Sequence, residues 1–529
     1  MSGFSRDPGR AEEHRPPPLP FLPGEVSNGE FVPRPPSATD RLVAVRALAR
    51  AGEAADRLGM DRRRFLQTAG GMAAMLGVIN LAACASGDKR AAARSTTTGS
   101  TSTSTSTGSA KPGGTYEVPD PEDTPACEDA LGDRGEFIFD VHTHHVMPDG
   151  PWRANAPRIE SMIRGLVPDG CTEADPLECV SRTAYLHDLF VASDTTVAML
   201  SDVPNSGPDD APVPFDDAVG TQDFARRLAE GGAPRLLVHN VIAPNFGPLG
   251  ARLDDMDARA ATGRVAAFKV YTAWGPGGQG FSLADPAIGI PVVERARAAG
   301  VNVMCAHKGL PLLEFDRAHN GPDDLVAVAA RYPDMDFVVY HGAYDRNHTE
   351  GPYDPAAATI GIDTLVKAMD DHRVAPNTNV YAELGTTWRE VMSRPDEAAH
   401  ALGKLLTRVG EDRVLWGTDA IWYGSPQPQI MAFRAFQITE EYQARFGYPA
   451  LTDELKAKIL GLNAAALFGL DPTATRCAVD GDALAQAKDE AAWMVSTGEL
   501  PAPWRPRGPI TRREVLRWLG TPGTTYQPW

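Results

Sequence analysis

Two histidines at the end of an apolar run have the types and spacing that most directly suggest chemistry in this chain. Residues 137–141 are strongly β-forming and are followed by His142, Thr143 and His144. In a β-strand, side chains at i and i+2 point to the same side, about 6–7 Å apart. Two such imidazoles can bind one metal ion, since zinc lies about 2.0–2.1 Å from each nitrogen. An ordinary polar strand end has the same pattern, so the pair alone does not decide. His145 is predicted to face the opposite way.

Further donor side chains stand at the ends of later β-rich runs. They are Lys269, His307, His341, Glu383 and Asp419. Each one alone is an ordinary strand-end residue. As a set they predict more, because histidine and carboxylate ligands with one open position are typical of a catalytic metal site.

Eight β-rich runs alternate with helical segments, and this alternation predicts a parallel sheet. The runs are 136–141, 195–200, 235–242, 265–272, 301–306, 336–340, 379–384 and 413–417. Eight such units predict an α/β fold, a (β/α)8 TIM barrel over residues 130–472, whose active site lies at the carboxyl ends of the strands. The longest insertion is predicted after the first strand, over residues 145–183. A doubly wound open sheet is the second choice, but it needs a glycine-rich loop after the first strand, which this sequence lacks.

Several short motifs between residues 137 and 470 resemble the amidohydrolase superfamily, most closely its amidohydrolase-related branch of hydrolases, lactonases and decarboxylases. The resemblance implies one divalent metal, most often zinc, bound by His142, His144, His307 and Asp419. It implies that Asp419 and His341 are catalytic, His341 as a second ligand or an acid–base and substrate-orienting group. The motifs are His142-Thr143-His144, Ala306-His307, Tyr340-His341-Gly342, Asn379-Val380-Tyr381, Gly417-Thr418-Asp419 and Gly461-Leu462-Asn463-Ala464-Ala465.

Lys269 leaves the number of metal ions open. Phe268-Lys269-Val270-Tyr271 is similar to the place where cyclic-amide hydrolases of this superfamily hold a carboxylated lysine that bridges two metals. The related branch usually lacks that lysine. Alternatively, Lys269 binds a substrate carboxylate or pairs with Glu383. One strongly held metal is the favoured interpretation.

The favoured function is hydrolysis of a C–N or C–O bond in an amide, lactone or ester by a metal-activated water. A non-oxidative decarboxylase of the same fold is the first alternative. A tethered lipoprotein that binds a metal or solute without turnover is an alternative from another class. Glycoside hydrolysis by Glu383 and Asp419 would leave the histidines unexplained.

The bulk composition restricts the partners. The formal net charge of −18 argues against nucleic acid and against adhesion to an anionic membrane surface. No stretch contains the roughly 18 apolar residues that a membrane span needs. The expected partner is a small-molecule substrate, and the oligomeric state stays open.

An export signal is predicted over residues 60–84. Arg62-Arg63-Arg64-Phe65-Leu66 resembles a twin-arginine signal, with Arg62 and Arg63 as the arginine pair. A short apolar segment follows and ends in Leu81-Ala82-Ala83-Cys84, which resembles a lipobox with Cys84 as the lipidated residue. The alternative is a buried amphipathic helix after a basic turn. The signal predicts a bacterial, membrane-anchored lipoprotein of the cell envelope, outside the cytoplasm.

The remaining segments are predicted from composition. Residues 1–59 are expected to be a disordered extension, either a genuine long leader or a start assigned too early, with Met60 as the true start. Residues 85–125 contain a Ser/Thr-rich stretch and are expected to be a flexible linker. Residues 473–529 are predicted to form a short helical extension. Cys171 and Cys179 are predicted to pair, and Cys127 with Cys477 as a second pair, whereas Cys305 is predicted to be a buried free thiol.

Overall fold

The computed structural model describes residues 19–29, 31–95, 112–167, 171–230, 232–311, 315–500 and 511–520. Its centre is a single parallel sheet of eight strands in chain order. The strands are β1 Phe139–Thr143, β2 Val197–Leu200, β3 Leu236–Ile242, β4 Val265–Val270, β5 Val303–His307, β6 Asp336–Tyr340, β7 Val380–Glu383 and β8 Val414–Leu415. Each lies within or beside one of the predicted runs.

The sheet closes between its first and last strands. Val141 donates its amide to the carbonyl of Trp416 at 3.0 Å, and Asp419 donates its amide to the carbonyl of His142 at 2.9 Å. A parallel bridge joins Thr143 to Ala420. The predicted (β/α)8 barrel is therefore confirmed. Closure also brings the residues that follow β8 beside the histidines of β1.

Helices follow the strands and cover the outside of the barrel. Their apolar faces are buried against the sheet, as parallel strands require. After β2 to β7 the main helices are Phe215–Leu228, Leu249–Ala260, Gly289–Ala298, Asp323–Arg331, Ile362–His372 and Pro395–Arg408. After β8 come Gln427–Ala435, Glu440–Phe446, Asp453–Ala457, the π-helix Lys458–Leu462 and Asn463–Phe468.

The predicted insertion after β1 forms a small lobe that packs on the barrel through an apolar core shared with β2 and β3. It contains the helices Trp152–Asn155, Pro157–Leu166 and Arg182–Leu186 and the 3-10 helix Pro176–Val180. Trp152, Ile163 and Tyr185 are fully buried in this core. The predicted disulfide between Cys171 and Cys179 is confirmed, with a Cα–Cα distance of 6.0 Å.

The second predicted cysteine pair is wrong. Cys127 is a buried free thiol on the helix Thr124–Leu131, and Cys477 is an exposed free thiol on the helix Pro472–Val479. The Cys127 thiol faces inward and donates to the carbonyl of Asp120. Cys305 is free and buried, as predicted.

The segment ahead of the barrel is more ordered than composition suggests. Residues 1–18 lie outside the described part of the chain, but a helix spans Ala38–Leu58, where disorder was expected. Ser37 and Asp40 form a capping box at its start. The helix packs against a second helix, Ala69–Ser95. Alanines spaced along its inner face allow this close contact, and burial supplies the stability that composition alone does not reveal.

The helix Ala69–Ser95 contains the predicted signal segment. Met72, Met75, Leu76 and Ile79 are buried in the main core, an arrangement that corresponds to the alternative of a buried helix after a basic turn. The prediction of an exported lipoprotein remains untested. Within the described residues, no helix is both long and apolar enough to cross a membrane.

The linker prediction also meets ordered structure at its end. Residues 96–111 lie outside the described part of the chain. Beyond them, the strand Gly114–Tyr116 pairs antiparallel with Phe436–Ile438, and the helix Thr124–Leu131 follows. The C-terminal extension is helical as far as it is described, with Pro472–Val479, Ala483–Thr497 and Arg512–Leu519.

Packing of the helix Ala69–Ser95 can be tested with two leucines on it. Leu76 is fully buried, whereas Leu81 is 63% exposed. Leu76→Ala is expected to lower the free energy of unfolding by about 2–5 kcal/mol because it leaves a cavity. Leu81→Ala is expected to change it by less than about 0.5 kcal/mol. Chemical denaturation of the full chain measures both, and equal effects would contradict the packing.

The predicted lipobox has its own test. Mass spectrometry of protein from the native host shows whether residues before Cys84 are removed.

Candidate metal centre

The histidine pair of β1 points into the barrel at its carboxyl end. The rings of His142 and His144 lie 5.0 Å apart and are almost fully buried. Nδ1 of His142 lies 3.3 Å from a carboxylate oxygen of Glu383, and Nδ1 of His144 lies 2.7 Å from the carbonyl oxygen of Ser201. The carbonyl of Ser201 can only accept, so it holds the proton of neutral His144 on Nδ1, and a proton on Nδ1 shared with Glu383 leaves Nε2 of His142 free in the same way. Both Nε2 atoms therefore direct a lone pair toward the same centre.

Asp419 reaches this centre from the segment after β8. Its Oδ1 lies 3.3 Å from Nε2 of His144 and 3.7 Å from Nε2 of His142. Its Oδ2 accepts a hydrogen bond from the hydroxyl of Thr386 at 2.7 Å. The ligand atoms of His142, His144 and Asp419 lie within 4.8 Å of one another. Three of the four predicted metal ligands thus converge.

The fourth predicted ligand, His307, meets the centre through His341. Nε2 of His307 is hydrogen bonded to the carbonyl of Leu310 at 3.0 Å, and Nδ1 of His341 to the carbonyl of Gly385 at 2.8 Å. The remaining nitrogens of the two rings face each other at 3.1 Å. If His307 donates its N–H to the carbonyl of Leu310 and His341 donates its N–H to the carbonyl of Gly385, each facing nitrogen carries a lone pair. Two lone pairs at this distance repel each other unless a cation or proton lies between them.

All four histidines are held neutral. Burial lowers the pKa of His142 and His307 well below the ordinary value, and it lowers the pKa of His341 to about 4. The pKa of His144 is lowered by burial despite its contact with Asp419. Neutral imidazole is the form that binds a metal ion. Burial acts to raise the pKa of Asp419, but the contacts with His144, His341 and Thr386 hold it below the ordinary value, so Asp419 is ionised.

Glu383 and Lys269 complete the centre on its other side. Glu383 accepts the backbone amide of His341 at 3.0 Å, and burial raises its pKa to about 8. With His142 and His341 it forms a second group whose ligand atoms lie within 4.8 Å. Nζ of Lys269 lies 3.1 Å from Nε2 of His142 and 4.2 Å from the ring centre of Tyr340.

Backbone geometry fixes these side chains in place. His341, Thr386 and Asp419 all have positive φ angles of 57–62°, a region that costs energy for residues other than glycine. Gly417 precedes the strained turn of Asp419. A Cβ at Gly417 would lie 1.7 Å from Oε1 of Glu383 and 3.0 Å from Cβ of His142. Any side chain at this position would therefore displace a residue of the centre.

Several residues around the centre carry no clear signal in the sequence. Asp140 accepts the amides of His142 and Thr418 below the centre, and burial raises its pKa to about 7. The Trp422 ring stacks on His144, with ring centroids 5.7 Å apart. Asn28 donates its side-chain amide to Oδ2 of Asp419 at 2.9 Å. Asp140 lies two residues before His142, so its position in the sequence was a usable clue, whereas no such clue marks Asn28.

His145 lies on the opposite side of the strand, as predicted, and can be used to test the burial of uncharged histidines. It contacts Thr221 and the carbonyl of Val146, and burial lowers its pKa to about 3. Its neutral form therefore stabilises the fold above about pH 6.5, and this contribution is lost as the pH falls toward 3.

Replacing His145 with glutamine is expected to flatten this acid dependence. Below pH 6.5, the difference in free energy of unfolding between parent and variant should change by no more than about 1.4 kcal/mol per pH unit. Denaturation curves at pH 7, 6, 5 and 4 measure it. His187 has a side chain that is 45% exposed, and His187→Gln is the control. An identical pH slope in the His145 variant and the parent would contradict the expectation.

Comparison with known proteins identifies part of this barrel. A sequence profile of the family described as Amidohydrolase matches residues 248–470, which run from the helix after β3 to the last barrel helix. This region is therefore similar in sequence to that family. A search of curated protein sequences finds no match.

Three of the solved structures to which the chain is similar are the following. 5-Carboxyvanillate decarboxylase from Sphingomonas paucimobilis is 15% identical, with 63% of this chain and 99% of that chain covered and a TM-score of 0.40. 2,6-Dihydroxybenzoate decarboxylase from Rhizobium is 16% identical, with 63% and 99% covered and a TM-score of 0.35. An inactive dihydroorotase-like domain from Chaetomium thermophilum is 9% identical, with 64% and 80% covered and a TM-score of 0.34.

Proposed function

We propose that this amidohydrolase-family domain is a metal-dependent hydrolase that cleaves a C–N or C–O bond in a small amide, lactone or ester. The observation that carries the proposal is the orientation of four neutral histidines. Each has one nitrogen near a backbone carbonyl or a carboxylate. The other nitrogen of His142, His144 and His341 faces the buried centre, and that of His307 faces His341. An ionised aspartate, Asp419, lies beside them.

The donor set fits a divalent cation, and zinc is the best match to imidazole nitrogen with one carboxylate. His142, His144 and Asp419 would hold it, with His341 and His307 on the facing side. When bound, such a cation lowers the pKa of a water molecule toward neutrality and polarises a carbonyl group. The close pair of nitrogens on His307 and His341 supports this assignment, because a bound cation would relieve the repulsion between their lone pairs.

Asp419 is the proposed general base and acid. It is ionised, lies at the edge of the histidine cluster, and can take a proton from the attacking water and pass it to the leaving atom. Thr386 fixes one oxygen of the carboxylate, which keeps the other turned toward His144. His341 is proposed to orient the substrate carbonyl, since the Gly385 carbonyl fixes its ring.

Lys269 is proposed to be carboxylated in the metal-loaded protein. Its Nζ lies 3.1 Å from Nε2 of His142, the nitrogen proposed to bind the metal. An ammonium group there would repel a divalent cation and compete for the same lone pair. A carboxylated lysine would instead offer anionic oxygens, and together with the group of His142, His341 and Glu383 it would support a second metal ion.

A decarboxylase is the second candidate, favoured by the same lysine in its charged form. A buried cation beside the centre could bind the carboxylate of an acid substrate, and a protonated residue would then deliver a proton to carbon. A panel of lactones, cyclic amides and aromatic acids separates the two candidates. The hydrolase proposal expects release of acid without carbon dioxide; carbon dioxide release from an aromatic acid would overturn it.

We propose that the chain is exported and that this centre works outside the cytoplasm. Arg62, Arg63 and Cys84 remain the proposed arginine pair and lipidation site. The Cys84 thiol is exposed, and a disulfide in the lobe after β1 is consistent with an oxidising compartment. Fractionation of the native host, with detection of the chain in envelope or cytoplasm, tests the proposal.

A further inference from the structure

An N-terminal arm, defined as residues 19–29 and 31–33, lies over the carboxyl end of the barrel. It has no helix or strand, yet most of it is buried. Phe21, Val26, Asn28 and Phe31 are each 3% exposed or less. The arm precedes the barrel in the sequence and leads into the helix Ala38–Leu58. It can therefore move without stretching a connection between two barrel strands.

Specific contacts hold the arm on loops that follow β6 and β7. The carboxylate of Glu25 lies 3.4 Å from the guanidinium of Arg346, which also lies 4.4 Å from the ring centre of Phe31. Arg389 donates to the carbonyl of Leu22 at 3.1 Å. The amide of Val26 donates to the carboxylate of Glu390 at 3.3 Å. These contacts place the arm at the rim from which substrates enter a barrel.

A tight turn directs one side chain of the arm inward. The Ser27 hydroxyl donates to the carbonyl of Phe31 at 2.5 Å, and the amide of Gly29 donates to that hydroxyl at 2.9 Å. Gly29 has φ +93°, and a Cβ there would lie 2.9 Å from Leu166. Asn28 stands at the tip of the turn. Its side-chain nitrogen donates to Oδ2 of Asp419 at 2.9 Å.

This contact matters because both oxygens of Asp419 are engaged. Oδ1 faces His144, and Oδ2 accepts from both Thr386 and Asn28. Thr386 and His144 belong to the barrel and stay in place. For Asp419 to hand a proton to the leaving atom of a substrate, one of its contacts has to open. Asn28 is on the segment that can leave.

We propose that, in the uncleaved chain, the arm is an intramolecular plug, in which the carboxamide of Asn28 occupies the position of a substrate's leaving group; removal of the residues before the proposed lipidation site, Cys84, would release it. The proposal rests on the hydrolase function above and names its substrate class. A carboxamide substrate that donates its amide N–H to ionised Asp419, as Asn28 does, places its leaving nitrogen beside the carboxylate that later passes it a proton. We therefore expect the site to bind compounds with an amide N–H, and these compounds compete with Asn28 for Asp419.

The test uses the metal-loaded full chain and an Asn28→Ala variant, which keeps the arm but removes its contact with Asp419. The first measurement is the rate at which a chelator such as dipicolinate removes zinc. The second is KM and kcat for a panel of cyclic and primary amides. We expect zinc removal to accelerate and KM to fall, each by about 10-fold, as when a hydrogen bond to a charged group is lost. We expect kcat to stay unchanged.

Asn155→Ala is the matched control. Asn155 is exposed on the lobe after β1 and donates to the carbonyl of Asp209. It should leave both measurements as in the parent, and thermal unfolding shows that each variant is folded. A second variant, Arg346→Ala, loosens the arm at its anchor and should act in the same direction as Asn28→Ala.

Two results would overturn the plug. One is an unchanged rate of zinc removal in both arm variants. The other is a fall in kcat for Asn28→Ala, which would make the arm a working part of the site. Failure of the hydrolase proposal has a separate signature: no amide is turned over by any form, while zinc removal still accelerates when the arm is loosened.

Discussion

Replacing Asp419 with asparagine is expected to lower kcat by about 10²–10⁴-fold, the range associated with loss of a general acid–base residue. The variant keeps the side-chain shape and the contact with Thr386. It removes the negative charge that faces His144 and His142. Steady-state kinetics on the best substrate of the panel measures the loss. Metal analysis shows whether one ligand fewer also weakens zinc binding.

Asp363→Asn is the matched control for this variant. Asp363 is also buried, but it pairs with Lys404 on the outer helix Ile362–His372. Its replacement is expected to affect stability and not kcat. If Asp419→Asn retained full activity after losing its metal, the measured turnover would not come from this centre, and both metal-dependent enzyme proposals would fall.

The barrel was predictable because its determinants are local. Each strand is a short β-rich run, each is followed by a helical segment, and parallel strands need such connections. The positions of His142, His307, His341 and Asp419 follow from this, since each lies at or shortly after the carboxyl end of a strand and these ends meet at one rim. The sequence therefore predicted most of the candidate metal centre before any distance was known.

The orientation of the side chains was not predictable. Whether a histidine offers Nδ1 or Nε2 depends on what the other nitrogen contacts. For His144 and His341 those acceptors are the carbonyls of Ser201 and Gly385. No sequence pattern marks a backbone carbonyl as an acceptor. Position at a strand end also does not determine which way the His307 ring turns. In the structure its Nδ1 faces Nε2 of His341 and not the ligand atoms of His142, His144 and Asp419.

Two predictions differ most from the structure, the disorder of the segment around Asn28 and the pairing of Cys127 with Cys477, and both depend on long-range packing. Asn28 and Asp419 are 391 residues apart, and the segment around Asn28 has the composition of a disordered leader. Its burial comes from surfaces that the barrel loops provide. Cys127 and Cys477 failed to pair for a related reason, because a disulfide requires its two Cα atoms within about 7 Å, which spacing in the sequence does not reveal.

Replacing Lys269 with alanine is expected to reduce the bound zinc from two equivalents to one and to lower kcat by about 10²-fold or more, as expected when a ligand that orients the metal centre is lost. The reason is the position of its Nζ, 3.1 Å from Nε2 of His142. Elemental analysis of protein prepared with zinc and bicarbonate gives the stoichiometry. A short carboxylic acid such as acetate should restore part of the activity, because it can supply the missing oxygens.

Lys404→Ala is the control, since Lys404 is equally buried but pairs with Glu350 and Asp363 away from the centre. It should lower stability without changing the zinc content of the folded protein. The competing role for Lys269, binding of a substrate carboxylate, has a different signature. In that case Lys269→Ala would keep its zinc and raise KM for acidic substrates alone, by about 10–100-fold for a lost charge-assisted hydrogen bond. Acetate would then give no rescue, and Lys269 would be a specificity residue of a mononuclear site.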